Sequence, residues 1–247
     1  FDNVAEHNLK GNLVVEVFPE IAGLIFEMAG LPRVSNGLYS YTAIFFDAAS
    51  AETVTHSGLT CESLTLSASA ESPSLMATLS LAGKRETAAG SIGSATYPSG
   101  QPWQFSDGTF TFDSATENTI ENFTLKVNNV LAMPNFRDEN LTLRTIDCGM
   151  RFSSLEWTMI TDAAARAINY KSLLRAADND MTWQAAFNWS GTGSPYDILT
   201  IDVGRMILET ATPMGSIRES QMMGCTASIV KPLPYASDID AVVITLS

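Results

Sequence analysis

Bases, histidines and cysteines are all scarce in this sequence. Its 247 residues include 14 lysines and arginines against 27 aspartates and glutamates, and the formal net charge is −13. Proteins that wrap nucleic acid need clustered Lys and Arg to neutralise phosphates, so the composition disfavours that class. The two histidines, His7 and His56, do not have the spacing of a metal-ligand pair. We therefore expect no metal and no cofactor.

The three cysteines, Cys61, Cys148 and Cys225, are far apart in the sequence. An odd number without close spacing disfavours both a disulfide scaffold and a zinc site, and favours buried free thiols in a chain folded in a reducing cytosol. There is no apolar run long enough to span a bilayer. The sequence also lacks the GxSxG, HExxH, P-loop and GxGxxG motifs. It therefore favours a structural or binding protein over an enzyme.

What the sequence does contain is strict alternation of apolar residues with serine and threonine. Two segments, Cys61–Ala70 and Leu75–Ala82, show it most clearly, and the turn-forming residues 71–74 join them as a predicted hairpin. Because side chains alternate across a strand, each strand has one core face and one uncharged hydroxyl face. A second predicted hairpin, Gln104–Leu131, repeats the pattern. The polar positions that we select on these two hairpins are Ser63, Thr65, Ser67, Thr78, Ser80, Thr109, Thr111, Asp113 and Thr124.

The rest of the chain predicts strands and two helices. Residues 19–30 have the apolar spacing of a helix, with a stripe formed by Ile21, Leu24, Ile25 and Met28. A second helix is expected from Thr161 or Asp162 to Ala177. Long polar segments at about 47–58 and 83–102 are expected to be loops. Further strands are expected at 38–46, 141–146, 152–160, 181–189, 198–209, 222–230 and 242–246. The sum is one antiparallel, mainly β domain over residues 1–247.

Two other functional classes remain open from the residues alone. A secreted carbohydrate-binding β-sandwich would stack sugars on Trp103, Trp183 or Trp189. A hydrolase would use the acids around one hairpin turn, Asp113, Glu117 and Glu121, although no base or nucleophile accompanies them. The regular alternation of Trp183 and Trp189 with other apolar residues favours a core position instead.

Five segments follow one another in a characteristic order, Cys61–Ala68 leading to Ala77–Lys84, then Phe105–Phe112, Ile120–Leu131 and the closing strand Val242–Leu246. In this order they resemble the tail tube proteins of long-tailed bacteriophages. The resemblance is clearest over residues 58–131.

The resemblance implies a β-sandwich or barrel-like fold with one or two flanking helices, shared with type VI secretion tubes. It implies homo-hexameric rings that stack into a hollow tube, located in the virion tail and assembled in the host cytoplasm. Double-stranded DNA would pass through without specific binding. The implied partners are the tape measure, tail terminator and distal tail proteins. No catalytic residue is carried over, and the tube of a gene transfer agent would have the same sequence features.

The selected hydroxyl positions fit such a conduit, so we predict that they face the lumen. Phosphates held by Lys or Arg would resist the movement of every base pair, whereas neutral hydroxyls and excess acid would not. Lys126 is the exception on these faces. Either it pairs with a carboxylate such as Asp113, or its strand does not face the lumen entirely.

Overall fold

The computed structural model describes residues 9–31, 38–47, 52–88, 97–132, 147–161, 180–189, 196–214, 221–230 and 241–247. Within these ranges the chain is mostly antiparallel β-sheet with one α-helix. The helix α1 spans Pro19–Met28. The strands are β1 Leu9–Glu16, β2 Tyr41–Asp47, β3 Glu52–Ser69, β4 Met76–Gly83, β5 Arg85–Ala88, β6 Gly108–Phe112, β7 Ala115–Thr116, β8 Ile120–Ala132, β9 Asp147–Thr161, β10 Asp180–Asn188, β11 Ile198–Met214, β12 Gln221–Ile229 and β13 Val242–Leu246.

The alternating pattern of the sequence produces the strands and the core as predicted. The first hairpin forms between β3 and β4, with Leu64 opposite Leu79 and Thr65 opposite Thr78. Both leucines are fully buried. The same alternation places Leu155 and Trp157 of β9 in the core. Period-two patterning therefore predicts which face of β3, β4 and β9 is buried.

The strands form one curled sheet that does not close into a barrel. Their order is β1-β4-β3-β8-β9-β12-β11-β10-β6-β7, with β2 and β5 added to β3 and β13 added to β11. Phe110 of β6 contacts Phe123 of β8 with ring centroids 5.6 Å apart, although several strands separate them along the sheet. The two parts of the sheet therefore face each other across a shared aromatic core.

The predicted second hairpin, Gln104–Leu131, is wrong in its pairing, because β6, which contains Phe110, does not pair with β8, which contains Phe123. Asp113 and Ser114 adopt positive φ angles of 47° and 67° and turn the chain into the short β7, which pairs with β6. The next strand, β8, pairs instead with β3 and β9. Alternation fixes the buried face of a strand but does not select its neighbour, so adjacency in sequence was misleading here.

Helix α1 begins at Pro19 as expected, and Gly30, at φ 72°, follows its end. Its buried side differs from the predicted stripe: Ala22, Ile25 and Phe26 are buried, whereas Leu24 is 53% exposed. Only the sheet against which the helix packs determines which neighbouring apolar positions are covered.

Buried polar side chains tie the end of α1 to the sheet. The amide Nδ2 of Asn129 donates to the carbonyls of Ala29, at 3.1 Å, and Cys61, at 3.2 Å. Arg151 donates through Nε to Asn129 Oδ1, at 2.8 Å, and through Nη2 to the Gly30 carbonyl, at 2.9 Å. Carbonyls near the helix end, which have no partner within the helix, are satisfied in this way.

The predicted long loops are partly wrong. Residues 52–58 are the first part of β3 and pair with β2, while Arg85–Ala88 forms β5 on the other side of the same segment. These three stretches form a small sheet that we call the arm. Polar composition suggested loops here, but the backbone hydrogen bonds of the arm need no apolar side chains. The helix expected to end at Ala177 and the strand expected at 141–146 lie outside the described residues, apart from Thr161, which ends β9.

Candidate functional site: an outward face of serines and threonines

Serine and threonine predominate on the outward side of five neighbouring strands, β4, β3, β8, β9 and β12. We call this surface the hydroxyl face. Each of its residues is half-buried and alternates with core residues along its strand. Its hydroxyl-bearing members are Ser63, Thr65, Ser67, Thr78, Ser80, Thr124, Ser154, Thr158, Thr226 and Ser228.

The strand register aligns these side chains in rows across the sheet. In one row Thr78 lies opposite Thr65, Thr65 opposite Lys126, and Lys126 opposite Ser154, which in turn lies opposite Ser228. Neighbouring strands are about 4.8 Å apart, so side chains of one row are in reach of each other and of a shared water layer. The rows make the hydroxyl face one continuous surface.

Charge on the hydroxyl face is balanced locally. Lys126 is the one base on it among the described residues, and its Nζ lies 2.6 Å from Glu156 Oε1. The prediction that Asp113 pairs with Lys126 is wrong, because Asp113 Oδ1 accepts a hydrogen bond from the backbone N of Thr182 at 2.8 Å. A second acid beside the face, Glu209, accepts a hydrogen bond from Ser228 Oγ. Lys126 therefore does pair with a carboxylate, as one of the two alternatives predicts, but the carboxylate belongs to Glu156 and not to Asp113.

The structure brings together six of the nine selected residues. Thr109, Thr111 and Asp113 belong to β6 and its turn, which the sheet order places beyond β11 and β10. They point outward but do not adjoin the hydroxyl face.

Sequence reasoning also missed four members of the face, Ser154, Thr158, Thr226 and Ser228. The alternation of Ser154 and Thr158 with Leu155 and Trp157 is a usable signal, because the apolar residues of a half-buried strand identify its outward positions.

The tryptophans are not available as sugar-stacking platforms at two of the three proposed positions. Trp103 and Trp183 are 0% and 1% exposed. Trp189 is half-buried and donates from Nε1 to the Gln101 carbonyl at 3.1 Å. Stacking on a ligand requires an exposed ring face, so the carbohydrate-binding hypothesis loses two of its three residues.

The acids of the proposed hydrolase site have local roles. Glu117 accepts hydrogen bonds from the backbone N and Oγ1 of Thr119, at 3.1 and 2.6 Å. Asp113 accepts from Thr182, and Glu121 is half-buried on β8. Carboxylates used in this way hold turns and strand ends in place.

Burial makes the described thiols poor nucleophiles and poor ligands. Cys61 and Cys225 are free and buried, and removal from water raises the pKa of each to about 12. The side chain of Cys148 lies outside the described set.

In the described part of the chain, no three His, Cys, Asp or Glu residues are grouped so as to hold a metal ion. Within the same ranges, no helix has the length and apolarity needed to cross a bilayer.

Of three comparisons with known proteins, two find similar proteins and one finds none. No curated protein sequence is significantly similar to the chain. A chain from the solved structure described as the virion of a native gene transfer agent particle is similar at 11% identity and a TM-score of 0.37, covering 57% of this chain and 97% of that one. The model of the phage tail tube protein family matches residues 5–242, nearly the whole sequence. The chain therefore belongs to the phage tail tube protein family.

Proposed function

We propose that this structural subunit forms six-fold rings stacked into a hollow tube, and that its hydroxyl face lines the lumen through which double-stranded DNA passes. As a tail tube protein, the chain assembles with itself and with other tail components in the virion. The observation that carries the lumen assignment is the continuity of the hydroxyl face over five strands, with its one described base held in an ion pair.

A surface of this kind suits a polyanion that must move without stopping. Each phosphate neutralised by a fixed base adds to affinity and therefore to resistance along the duplex. Hydroxyls carry no net charge, and they bind a layer of water molecules that can be displaced rapidly as the duplex moves past. The net charge of −13 adds weak repulsion, which screening limits to about 8 Å from the wall at physiological salt.

Ring formation would complete the open sheet. Among the described strands β1 pairs only with β4, so its other edge has no neighbour. Unpaired edges are normally covered or paired with another chain. In the proposed ring, sheets of neighbouring subunits join and leave few free edges.

The arm is the proposed contact between stacked rings. Three consecutive residues of β2, Ile44, Phe45 and Phe46, are all exposed. Contiguous exposed apolar groups mark interaction surfaces.

We propose that tape measure, terminator and distal tail proteins use the tube ends and lumen. We also propose that residues 1–247 act as one domain.

The lumen assignment is tested by adding positive charge to the hydroxyl face. In the double variant Thr65→Lys and Thr78→Lys, a ring of six subunits gains about 12 positive charges. We expect tubes or particles with this variant to retain DNA and to release it more slowly than the unmodified protein, with a strong dependence on salt. Release is followed by the fluorescence of a DNA-binding dye outside the particle.

The matched control is Thr109→Lys with Thr200→Lys, two outward threonines at the other end of the sheet. It adds the same charge, and we expect release to remain close to normal. Normal release from the first variant, together with slow release from the control, would place the lumen on the β6 side. A protein that stays monomeric at every concentration, even with tail-tip nuclei present, would contradict the tube itself.

A further inference from the structure

We propose that Glu156 acts as a masking carboxylate, which holds Lys126 in an ion pair and so prevents the hydroxyl face from binding the phosphates of duplex DNA. The proposal rests on the proposed lumen position of that face. It assigns to one residue the task of keeping the wall non-adhesive.

The geometry of the pair supports a masking role. Lys126 Nζ and Glu156 Oε1 are 2.6 Å apart, and the two side chains are 40% and 47% exposed, so both reach the solvent that a passing duplex would displace. Lys126 lies opposite Thr65 and Ser154, whereas Glu156 lies opposite Thr124 and is reached diagonally. The two cross-strand neighbours of Lys126 are therefore hydroxyl residues that offer no negative charge.

The position of the pair makes its neutrality matter. It lies near the middle of the hydroxyl face, between β3 on one side and β12 on the other. A phosphate that approaches Lys126 also approaches Glu156, and the carboxylate cancels most of the attraction. Without it, about six lysines would stand at one height in a six-fold ring, and their contacts with one duplex would act together.

The competing explanation is a purely structural cross-strand pair, of the kind found on many sheets. Such a pair predicts that removing the carboxylate changes stability slightly and DNA binding not at all. The masking role predicts a gain of binding, which a structural role does not produce.

The experiment uses assembled tubes and two DNA probes. The variants are Glu156→Gln, Lys126→Gln with Glu156→Gln, and Asp180→Asn as a matched control. Asp180 of β10 pairs with Arg205 of β11 at 2.7 Å, outside the five strands of the hydroxyl face, so its loss makes the same charge change elsewhere. The probes are a short fluorescent linear duplex, which can enter a tube end, and a closed circular duplex, which cannot thread through it. Binding is measured by co-sedimentation across a range of salt.

We expect Glu156→Gln tubes to bind the linear duplex at least about tenfold more tightly than unmodified tubes at low salt, with affinity falling steeply as salt rises. The double variant and Asp180→Asn should bind like the unmodified protein. The circular duplex should bind to none of them. If Glu156→Gln alone does not assemble, tubes co-assembled with excess unmodified subunit give the same measurement.

The other outcomes separate the two proposals. If Glu156→Gln binds neither probe, the masking role is wrong, whatever the position of the face. Equal gains for Glu156→Gln and Asp180→Asn also overturn it, because the effect would then be one of net charge. If Glu156→Gln binds linear and circular duplex equally, masking is correct but the hydroxyl face lies on the outside of the tube.

Discussion

The two halves of strand β3 differ in what covers them. Residues 60–69 lie between β4 and β8 in the main sheet, and from Leu64 to Ala68 their apolar side chains are buried in strict alternation. Residues 52–58 lie between β2 and β5 in the arm, where the neighbouring strand exposes several apolar side chains. The same strand thus holds the subunit together at one end and presents a surface for a neighbour at the other.

The boundary between the halves is a single glycine. Gly58 has φ 69°, and the pairing of β3 with β2 skips it between Ser57 and Leu59. An added Cβ there would lie 2.7–2.9 Å from the Lys84 side chain. A bulge of this kind redirects a strand, so the arm can leave the main sheet without ending β3.

The largest expected effect comes from breaking the buried half. Leu64→Ala removes a fully buried side chain opposite Leu79 and Val127, and we expect the free energy of unfolding to fall by about 2–5 kcal/mol. Urea denaturation of the unassembled subunit measures this loss. Val14→Ala, on an exposed position of β1, is the control and should change stability much less. A similar cost for both variants would contradict the assignment of the core.

A smaller effect is expected at the boundary. Gly58→Ala forces a side chain into a positive φ and against Lys84, which should cost about 1–2 kcal/mol. Gly11→Ala provides the comparison, because no heavy atom lies within 4 Å of the added Cβ. Denaturation midpoints of the two variants check this. If they shift equally, the bend at residue 58 has no energetic role.

The reactivity of the thiols tests the boundary at Gly58 in the folded subunit. Burial raises the pKa of Cys61 and Cys225 from 9.0 to about 12, so each folded thiol stays protonated where the unfolded one ionises. Their contribution to stability is fully present below pH 9 and is lost progressively as the pH rises from 9 toward 12.

Alkylation at pH 8, followed by mass spectrometry of each cysteine peptide, should find both thiols protected in the native subunit. In Gly58→Ala, Cys61 should label faster while Cys225 does not change, since only Cys61 lies near the bend. Rapid labelling of both native thiols would contradict their burial.

The smallest effect on folding is expected in the arm. Phe46 is 54% exposed, so Phe46→Ser should change the stability of the subunit by less than about 0.5 kcal/mol. Electron microscopy should nevertheless show shortened or absent tubes, because the proposed stacking surface is weakened. Leu24→Ser, at 53% exposure on α1, is the matched control and should leave tube length normal. Normal tubes from Phe46→Ser would remove the arm from the stacking contact.

Much of the sheet could be predicted from the sequence, because alternation encodes burial directly. Leu64, Leu155 and Trp183 all occupy the core positions that period two assigned to them. What alternation could not encode is the choice of partner strand. For that reason the pairing of Gln104–Leu131 was wrong, and Thr109 was grouped with residues from which several strands separate it.

The arm and the ion pair of Lys126 with Glu156 are even harder to predict from the sequence. Residues 52–58 are polar enough to resemble a loop, and only hydrogen bonds to β2 and β5 make them a strand. Lys126 was recognised as an exception, but Glu156 lies 30 residues away, and only the register of β8 with β9 brings the two together.

The hydrogen bonds that Asn129 and Arg151 make at the end of α1 suggest when this helix docks during folding. Asn129 contacts carbonyls 100 and 68 residues away, and Arg151 reaches one 121 residues away. These hydrogen bonds join the end of α1 to β3, β8 and β9, and closing such long loops is slow. We expect α1 to dock late in refolding, so a subunit with its helix in place has already completed the sheet that it contributes to a ring.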